Sequence, residues 1–459
     1  MTVRADGSAA PGQTAYLALL AATTLGTVSS TVMSAPLNEI AAALQTGARG
    51  IVLAVSVFTV AMVLTSPAAG WLADRLGPRR YLLLSLGLMV LGQLGAALAQ
   101  GLGSLVAARG VQGVACAGIP ACVQALLAAH WPQRRRQAMA AWASAIGLGQ
   151  AVGPPVGGLV AQLAGWRWVF GAAALIVVLV SIVLARQLPE APAVGAPMDP
   201  VALVLLSLGA GLLAVGLTGA GQGWTGPSLL LTAAGVLLLV LVLRPGRRPS
   251  VLGAVGRDPE YAVATLGAAA AMAGMGITLV SVPVYLGRTL GLGPGLIGLS
   301  TLAIAGGMTT FSPVAGWLAG RLGTRRTLAA GLLGLGVGAL VLGVVEGRGQ
   351  GPEALGPVLV VLVLIGCGIA TVQSMSAVLL LGVPGISGSA MGVHNTGRFA
   401  GLCLGYAWVA LVLPWEQPLV IHLGTACLAL VALGCLLLLA VRRARERRAG
   451  SAAPAPTGR

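Results

Sequence analysis

Lysine is absent from this chain: all 27 basic residues are arginine. Acidic residues number only 11, and charged residues of both signs make up 8% of the 459 positions, against the roughly one quarter usual in water-soluble domains. That scarcity, with 57% hydrophobic residues and a mean hydropathy of +0.94, excludes a soluble globule of this length and leaves an integral membrane protein. The net charge of +16 would ordinarily point to nucleic acid. Here the arginines cluster at the ends of apolar runs, where a membrane protein needs them, so no nucleic-acid partner is expected.

Cysteine chemistry is also lacking. Cys116, Cys122, Cys367, Cys403, Cys427 and Cys435 lie inside apolar runs without CxxC or Cys/His ligand spacing, which excludes a metal centre built on them and leaves packing residues. No cleavable signal peptide is apparent, because the polar stretch from Met1 to Gln13 leads into a run long enough to span a membrane. No metal ligand cluster, nucleophile with base or soluble appendage supports an enzyme or a membrane sensor.

What the chain does have is a repeat. Ser66 to Arg80 reads SPAAGWLADRLGPRR and Ser312 to Arg326 reads SPVAGWLAGRLGTRR, twelve of fifteen positions matching at an offset of 246. The chain is therefore built twice. A span needs about 20 apolar residues. Fourteen such runs are expected at about 15–37, 50–72, 81–99, 103–129, 138–162, 167–186, 200–221, 227–244, 260–286, 294–319, 327–345, 355–381, 388–412 and 418–441. With the N-terminus inside, 21 arginines are cytoplasmic, Arg49, Arg167, Arg288 and Arg348 are outside, and Arg109 and Arg398 fall within spans. This asymmetry puts both termini in the cytoplasm. Spans 7 and 8 echo neither half and read as an inserted hairpin. The expected organisation is a cytoplasmic tail (1–14), a six-helix bundle (15–188), a linker with the hairpin (189–258), a second six-helix bundle (259–441) and a disordered basic tail (442–459).

Three features carry chemistry. The elbow after span 2 holds Gly70, Asp74, Arg75, Gly77, Arg79 and Arg80, and its second copy holds Arg321 and Gly323 but Gly320 in place of Asp74. Positive-inside anchoring explains the arginines but neither Asp74 nor the glycine spacing. Arg109 and Gln112, three apart, share one face of span 4. An arginine inside a span costs at least about 2.5 kcal/mol unless it faces protein or water, so Arg109 is either a transport residue or an interhelical strut. Span 5 carries Ala145, Gly149, Gly153, Gly157 and Ala161 every fourth residue, with Pro154 and Gly158 beside them, and span 13 repeats the ladder at Gly397, Gly401 and Gly405. Such a stripe lets a neighbouring helix approach closely. Span 13 also holds His394, Asn395 and Arg398, a polar cluster about midway through the membrane.

These stretches resemble the major facilitator superfamily, in particular its fourteen-helix drug:proton antiporter branch: GxxxDRxGxRR at the elbow, RxxQG at Arg109, Gln112 and Gly113, and GxxxGPxxGG at Gly149, Gly153, Pro154, Gly157 and Gly158. The resemblance implies an all-α polytopic fold with fourteen transmembrane helices arranged 6 + 2 + 6. It further implies a proton-coupled exporter in the bacterial plasma membrane, working by alternating access on a small amphipathic drug or natural product, without cofactor and acting as a monomer. An uptake transporter of the same fold is the alternative. By the same resemblance the cavity is lined by Thr27, Ser30, Arg109, Gln112, Gln373, Ser376 and Asn395, the transport route uses Arg109, Gln112, Asp74, His394 and Arg398, and Asp74 latches onto the start of span 13 around residues 387–390. One departure stands out. Where these exporters usually carry an LDxTIVN-type stretch the chain has VSSTVMS, with Ser29 at the aspartate's position. No acidic residue sits in mid-span, so the proton carrier is expected to be displaced, with Asp74, Glu39 or His394 as candidates, of which His394 titrates nearest neutrality. With only arginines in mid-membrane, a neutral or anionic substrate is expected.

Overall fold

The structure is a computed structural model that describes residues 11–33, 36–46, 48–191, 200–220, 225–243, 258–292, 294–349, 351–383, 388–412 and 417–451. Among these residues it is all-helical. The first half comprises α1 (Gln13–Thr31), a short α2 (Leu37–Ala43), α3 (Ala48–Leu76), α4 (Pro78–Ala97), α5 (Leu102–His130), α6 (Arg135–Ala164) and α7 (Trp166–Gln187). Then come α8 (Pro200–Ala220) and α9 (Thr225–Leu243). The second half comprises α10 (Pro259–Arg288), α11 (Pro294–Leu322), α12 (Thr324–Arg348), α13 (Leu355–Leu380), α14 (Gly388–Val412) and α15 (Pro418–Ser451).

The two halves repeat one packing scheme. In the first, α1 packs on α5, α6 and α7, α3 on α5, and α4 on α5 and α7. In the second, α10 packs on α13, α14 and α15, α11 on α13, and α12 on α13 and α15. The seams between halves are also paired, α6 against α11 and α14 against α3. The hairpin α8–α9 closes on itself, and α8 rests against α3 and α14.

Among the described residues ten helices are long and apolar enough to cross a membrane. The helices outside that set explain themselves: α1 and α6 present threonine, serine and glycine to one another, α14 carries His394, Asn395 and Arg398, and α9 is an apolar stretch of shorter described length, Gly226–Val242. The expected first span overran. α1 stops at Thr31, and its last turns bond back on themselves, Thr27 Oγ1 to Thr23 O at 3.0 Å and Ser30 Oγ to Thr27 O at 2.6 Å. The chain then restarts as α2 after Pro36. Nor is the elbow a loop. Asp74 and Arg75 belong to the last turn of α3, and the whole connection is Gly77, at φ +87°, followed by Pro78 at the first position of α4. Gly323 repeats it at φ +88° between α11 and α12. That left-handed conformation is open to glycine and strained for other residues, which is why both copies keep it. The second half opens on Asp258, whose Oδ1 accepts from Glu260 N at 2.7 Å, with Pro259 at the first helical position.

Candidate functional site

In the first half a buried polar cluster joins four helices. Arg109 Nη1 on α5 donates to Ser29 O of α1 at 2.7 Å and to Gln112 Oε1 at 2.7 Å, while its Nε donates to Ala54 O of α3 at 3.4 Å. The guanidinium lies over the Phe58 ring, 4.4 Å from its centroid. Gln112 Nε2 donates to Gly92 O at 3.0 Å and to Gln93 Oε1 at 3.3 Å, and Gln93 Nε2 donates to Ser29 Oγ at 2.6 Å. Arg109, Gln112 and Gln93 are fully buried. Gly113, last residue of RxxQG, sits so tightly on α3 that a methyl group there would collide with the Phe58 carbonyl. Ser29, at the position where the fourteen-helix exporters usually carry aspartate, is thus a hub of this network through both its carbonyl and its hydroxyl.

The second half has its own cluster. Arg398 Nε donates to Gln373 Oε1 on α13 at 3.0 Å and Nη1 donates to Asn395 Oδ1 at 2.7 Å. Its guanidinium lies 5.0 Å from the ring centroid of Trp142, a residue of α6 in the other half. His394 Nδ1 and Thr265 Oγ1 of α10 share a hydrogen bond at 3.0 Å, and Tyr261 donates to Ala390 O at 2.7 Å. His394, Asn395, Arg398, Gln373 and Ser376 are buried, whereas Thr27 and Ser30 are half-buried on α1. Of the expected cavity residues, Arg109 and Gln112 lie in the first cluster and Gln373 and Asn395 in the second, whereas Thr27 packs on α6 at Gly149, Ser30 bonds to Thr27 O and Ser376 lies against Gly267 of α10. An apolar groove of about 360 Å³ between α11, α12 and α13 lies apart from them, lined by Phe311, Val337, Val341, Leu364 and neighbours.

The glycine ladders weld helices within each half. A Cβ on Gly149 would lie 2.6 Å from Thr24 O, and one on Gly153 or Gly157 would fall on Thr31 Oγ1 or Val32 O. Thr24 Oγ1 bridges to Ala145 O at 3.1 Å. In the second half Gly401 and Gly405 meet the carbonyls of Ala269 and Ala273 on α10 in the same manner. Pro154 and Gly158 are half-buried and lie beside the stripe.

The elbows occupy the end of the bundle where the halves touch. The first turns of α14 meet the end of α3, Gly392 abutting Ser66 O and Gly70, one turn before Asp74, which is 4% exposed. Ser387, the first residue of the expected landing place for Asp74, lies outside the described residues. Reciprocally, the start of α6 meets the end of α11: Arg136 Nη1 donates to Ala319 O at 3.1 Å beside Gly320, Ala140 packs on Gly316, and Arg135 donates to Leu381 O. Arg79 and Arg80 pair with Glu190 at 3.3 and 3.0 Å, Arg325 pairs with Glu260, and Arg75 and Arg321 each lie over a tryptophan, Trp71 and Trp317. Away from this end, Glu39 is exposed and accepts from Trp166 N at 3.3 Å.

Sequence reading missed Gln93 and Trp142, which are single residues in apolar runs, and the buried pair of Glu346 on α12 with His422 on α15, at 2.9 Å. Both members of that pair sit near helix ends, which is why they read as boundary residues.

Two helical halves repeating one packing scheme, each with a buried arginine and meeting along paired seams, define a multi-pass membrane transporter. Residues 17–202 and 264–458 match the Major Facilitator Superfamily, leaving out α9 and nearly all of α8, and the chain belongs to that family of transporters. It is 29% identical over 396 residues to the multidrug resistance protein Stp of Mycobacterium tuberculosis, covering 83% of this chain and 72% of Stp. Its fold is similar to that of the human organic anion transporter MFSD10 (TM-score 0.68, 19% identity, 92% of this chain and 99% of that one). It also resembles the proton:xylose symporter XylE (TM-score 0.64, 15% identity, 92% and 94%).

Proposed function

We propose that this chain is a proton-driven exporter of small amphipathic compounds, working by alternating access in a bacterial plasma membrane. The observation that carries the reading is the ladder Gly149, Gly153 and Gly157, with Pro154 in its midst, packed onto the backbone of α1, the arrangement of the antiporter motif. The multidrug resistance name of its relative Stp supports it. In this reading all fourteen long helices span the bilayer as 6 + 2 + 6, α8 and α9 standing outside the two repeated bundles. Both termini are cytoplasmic in this reading, which the arginine asymmetry supports. The elbow end is then the cytoplasmic end, and the meeting of the halves there supports reading this arrangement as outward-facing. The chain acts as a monomer without a cofactor.

The cargo is neutral or anionic. A permanent dication would need a buried carboxylate, and the charges buried in the clusters are those of Arg109 and Arg398. The proton passes through displaced groups, with Asp74 and His394 as the candidates; the burial of Asp74 beside the elbow seam and the hydrogen bond of His394 with Thr265 support this reading.

Everted membrane vesicles test the proposal. Imposing an inside-acid gradient is expected to drive neutral or anionic compounds, chosen from a resistance screen in a pump-deficient host, into the vesicle, and a protonophore is expected to stop it. Accumulation that ignores the gradient, movement in the opposite direction, or robust transport of a dication would each refute part of the reading.

A further inference from the structure

Arg398 is 2% exposed, and among the described residues no carboxylate lies within ion-pairing distance of it. Its two acceptors, Gln373 Oε1 and Asn395 Oδ1, are neutral, so its charge is solvated but not compensated. The neighbouring polar atoms are donors as well. Asn395 turns its Oδ1 to the guanidinium, leaving Nδ2 buried with no acceptor, and Trp142 Nε1 is buried with none either. A cluster rich in donors and short of anions is a site whose missing member is an acceptor with negative charge.

We infer that Arg398 and Asn395 form a subsite for the carboxylate of an organic acid cargo, and that the Trp142 ring, stacked on the guanidinium, is the built-in competitor that expels it. The inference rests on the export reading and deepens it. Arg398 belongs to α14 and Trp142 to α6, so their contact exists only while the halves are together at the elbow end. When that end opens, the guanidinium loses the indole face and is free to take a carboxylate through two parallel hydrogen bonds, the apolar body of the acid lying along the parted seam. When the end closes, the ring returns over the guanidinium and the carboxylate is displaced toward the other side. Arg109 has no such role. Its Nε and Nη1 are engaged by Ala54, Ser29 and Gln112 and its face by Phe58, all within the first half, and although its Nη2 is buried without a partner, no residue of the other half covers it.

The two residues give opposite predictions. Binding of benzoate to the full chain in lipid nanodiscs is measured by calorimetry, with benzamide as neutral isostere and sodium chloride and sulfate as inorganic anions. Arg398→Gln is expected to weaken benzoate binding at least about tenfold, consistent with the loss of a buried charge-assisted pair. Trp142→Leu is expected to tighten it about threefold or more, since it removes the competing cation–π contact. The exposed Arg186→Gln and the benzamide titrations are expected to show no change. A gain of affinity in Trp142→Leu cannot arise from misfolding. No benzoate binding by the wild type, equal binding by Arg398→Gln, weaker or unchanged binding by Trp142→Leu, or chloride and sulfate binding as tightly as benzoate would each overturn the inference. Loss of the subsite with proton-driven efflux of a neutral compound intact would leave the export reading standing. Arginine-dependent benzoate binding without gradient-driven efflux would do the reverse.

Discussion

Substituting Gly149 by alanine probes the ladder that welds α6 to α1. The added methyl would lie 2.6 Å from Thr24 O and 2.7 Å from Thr27 Cβ, where ordinary carbon–oxygen approach is about 3.3 Å or more. The helices must separate locally by about 0.7 Å. That separation stretches the Thr24 to Ala145 bond from 3.1 Å to about 3.8 Å, beyond hydrogen-bond range, at a cost of about 0.5–1.5 kcal/mol. Overpacking adds about 1–3 kcal/mol, for a total of roughly 1.5–4.5 kcal/mol. Gly87→Ala is the internal comparison: nothing lies within 4 Å of that Cβ, and alanine in an open helical position is neutral or stabilising by up to about 1 kcal/mol. Thermal unfolding of purified protein, followed by a thiol-independent probe, is expected to fall by several degrees for Gly149→Ala and to hold or rise for Gly87→Ala. Equal midpoints for the two would refute the close-packing account of the ladder.

Other outcomes follow from the same geometry. His422→Ala leaves Glu346 buried without its partner and is expected to destabilise by about 3–5 kcal/mol, whereas the double change His422→Leu, Glu346→Met recovers most of that loss, as read by unfolding midpoints. Gln93→Ala removes the bridge between Gln112 and Ser29 and is expected to cost about 1–3 kcal/mol with a lowered transport rate. Glu190→Ala severs two exposed pairs with Arg79 and Arg80 and is expected to change stability by less than about 1 kcal/mol, less still at high salt.

The repeat was the most legible feature, because a glycine that must adopt positive φ and an arginine that must meet the membrane surface leave a local signature, and Gly77 and Gly323 adopt the same backbone. Arg109 and Arg398 were legible for the opposite reason, as charges too costly to stand in a span without work to do. What the sequence hid depends on pairing across distance. Glu346 and His422 are 76 residues apart and look like helix-end residues until α12 and α15 come together. Trp142 reads as one more apolar residue until α6 brings it over Arg398. The overrun of the first span had a local cause: hydropathy does not register that Thr27 and Ser30 bond back to the helix, nor that Pro36 precedes a new one.

The central claim is that transport requires the halves to part at the elbow end, and a reversible lock tests it most directly. A Cβ on Gly316 would lie 3.2 Å from Ala140 Cβ across the α6–α11 seam, within a few tenths of an ångström of the 3.5–4.5 Å a disulfide needs. In a background with the six native cysteines replaced, Ala140→Cys combined with Gly316→Cys is oxidised in proteoliposomes and efflux is measured before and after reduction. The account predicts that the cross-link forms, abolishes efflux, and releases it again on reduction, with either single substitution insensitive to oxidant. A fully cross-linked protein that transports at an undiminished rate would contradict it.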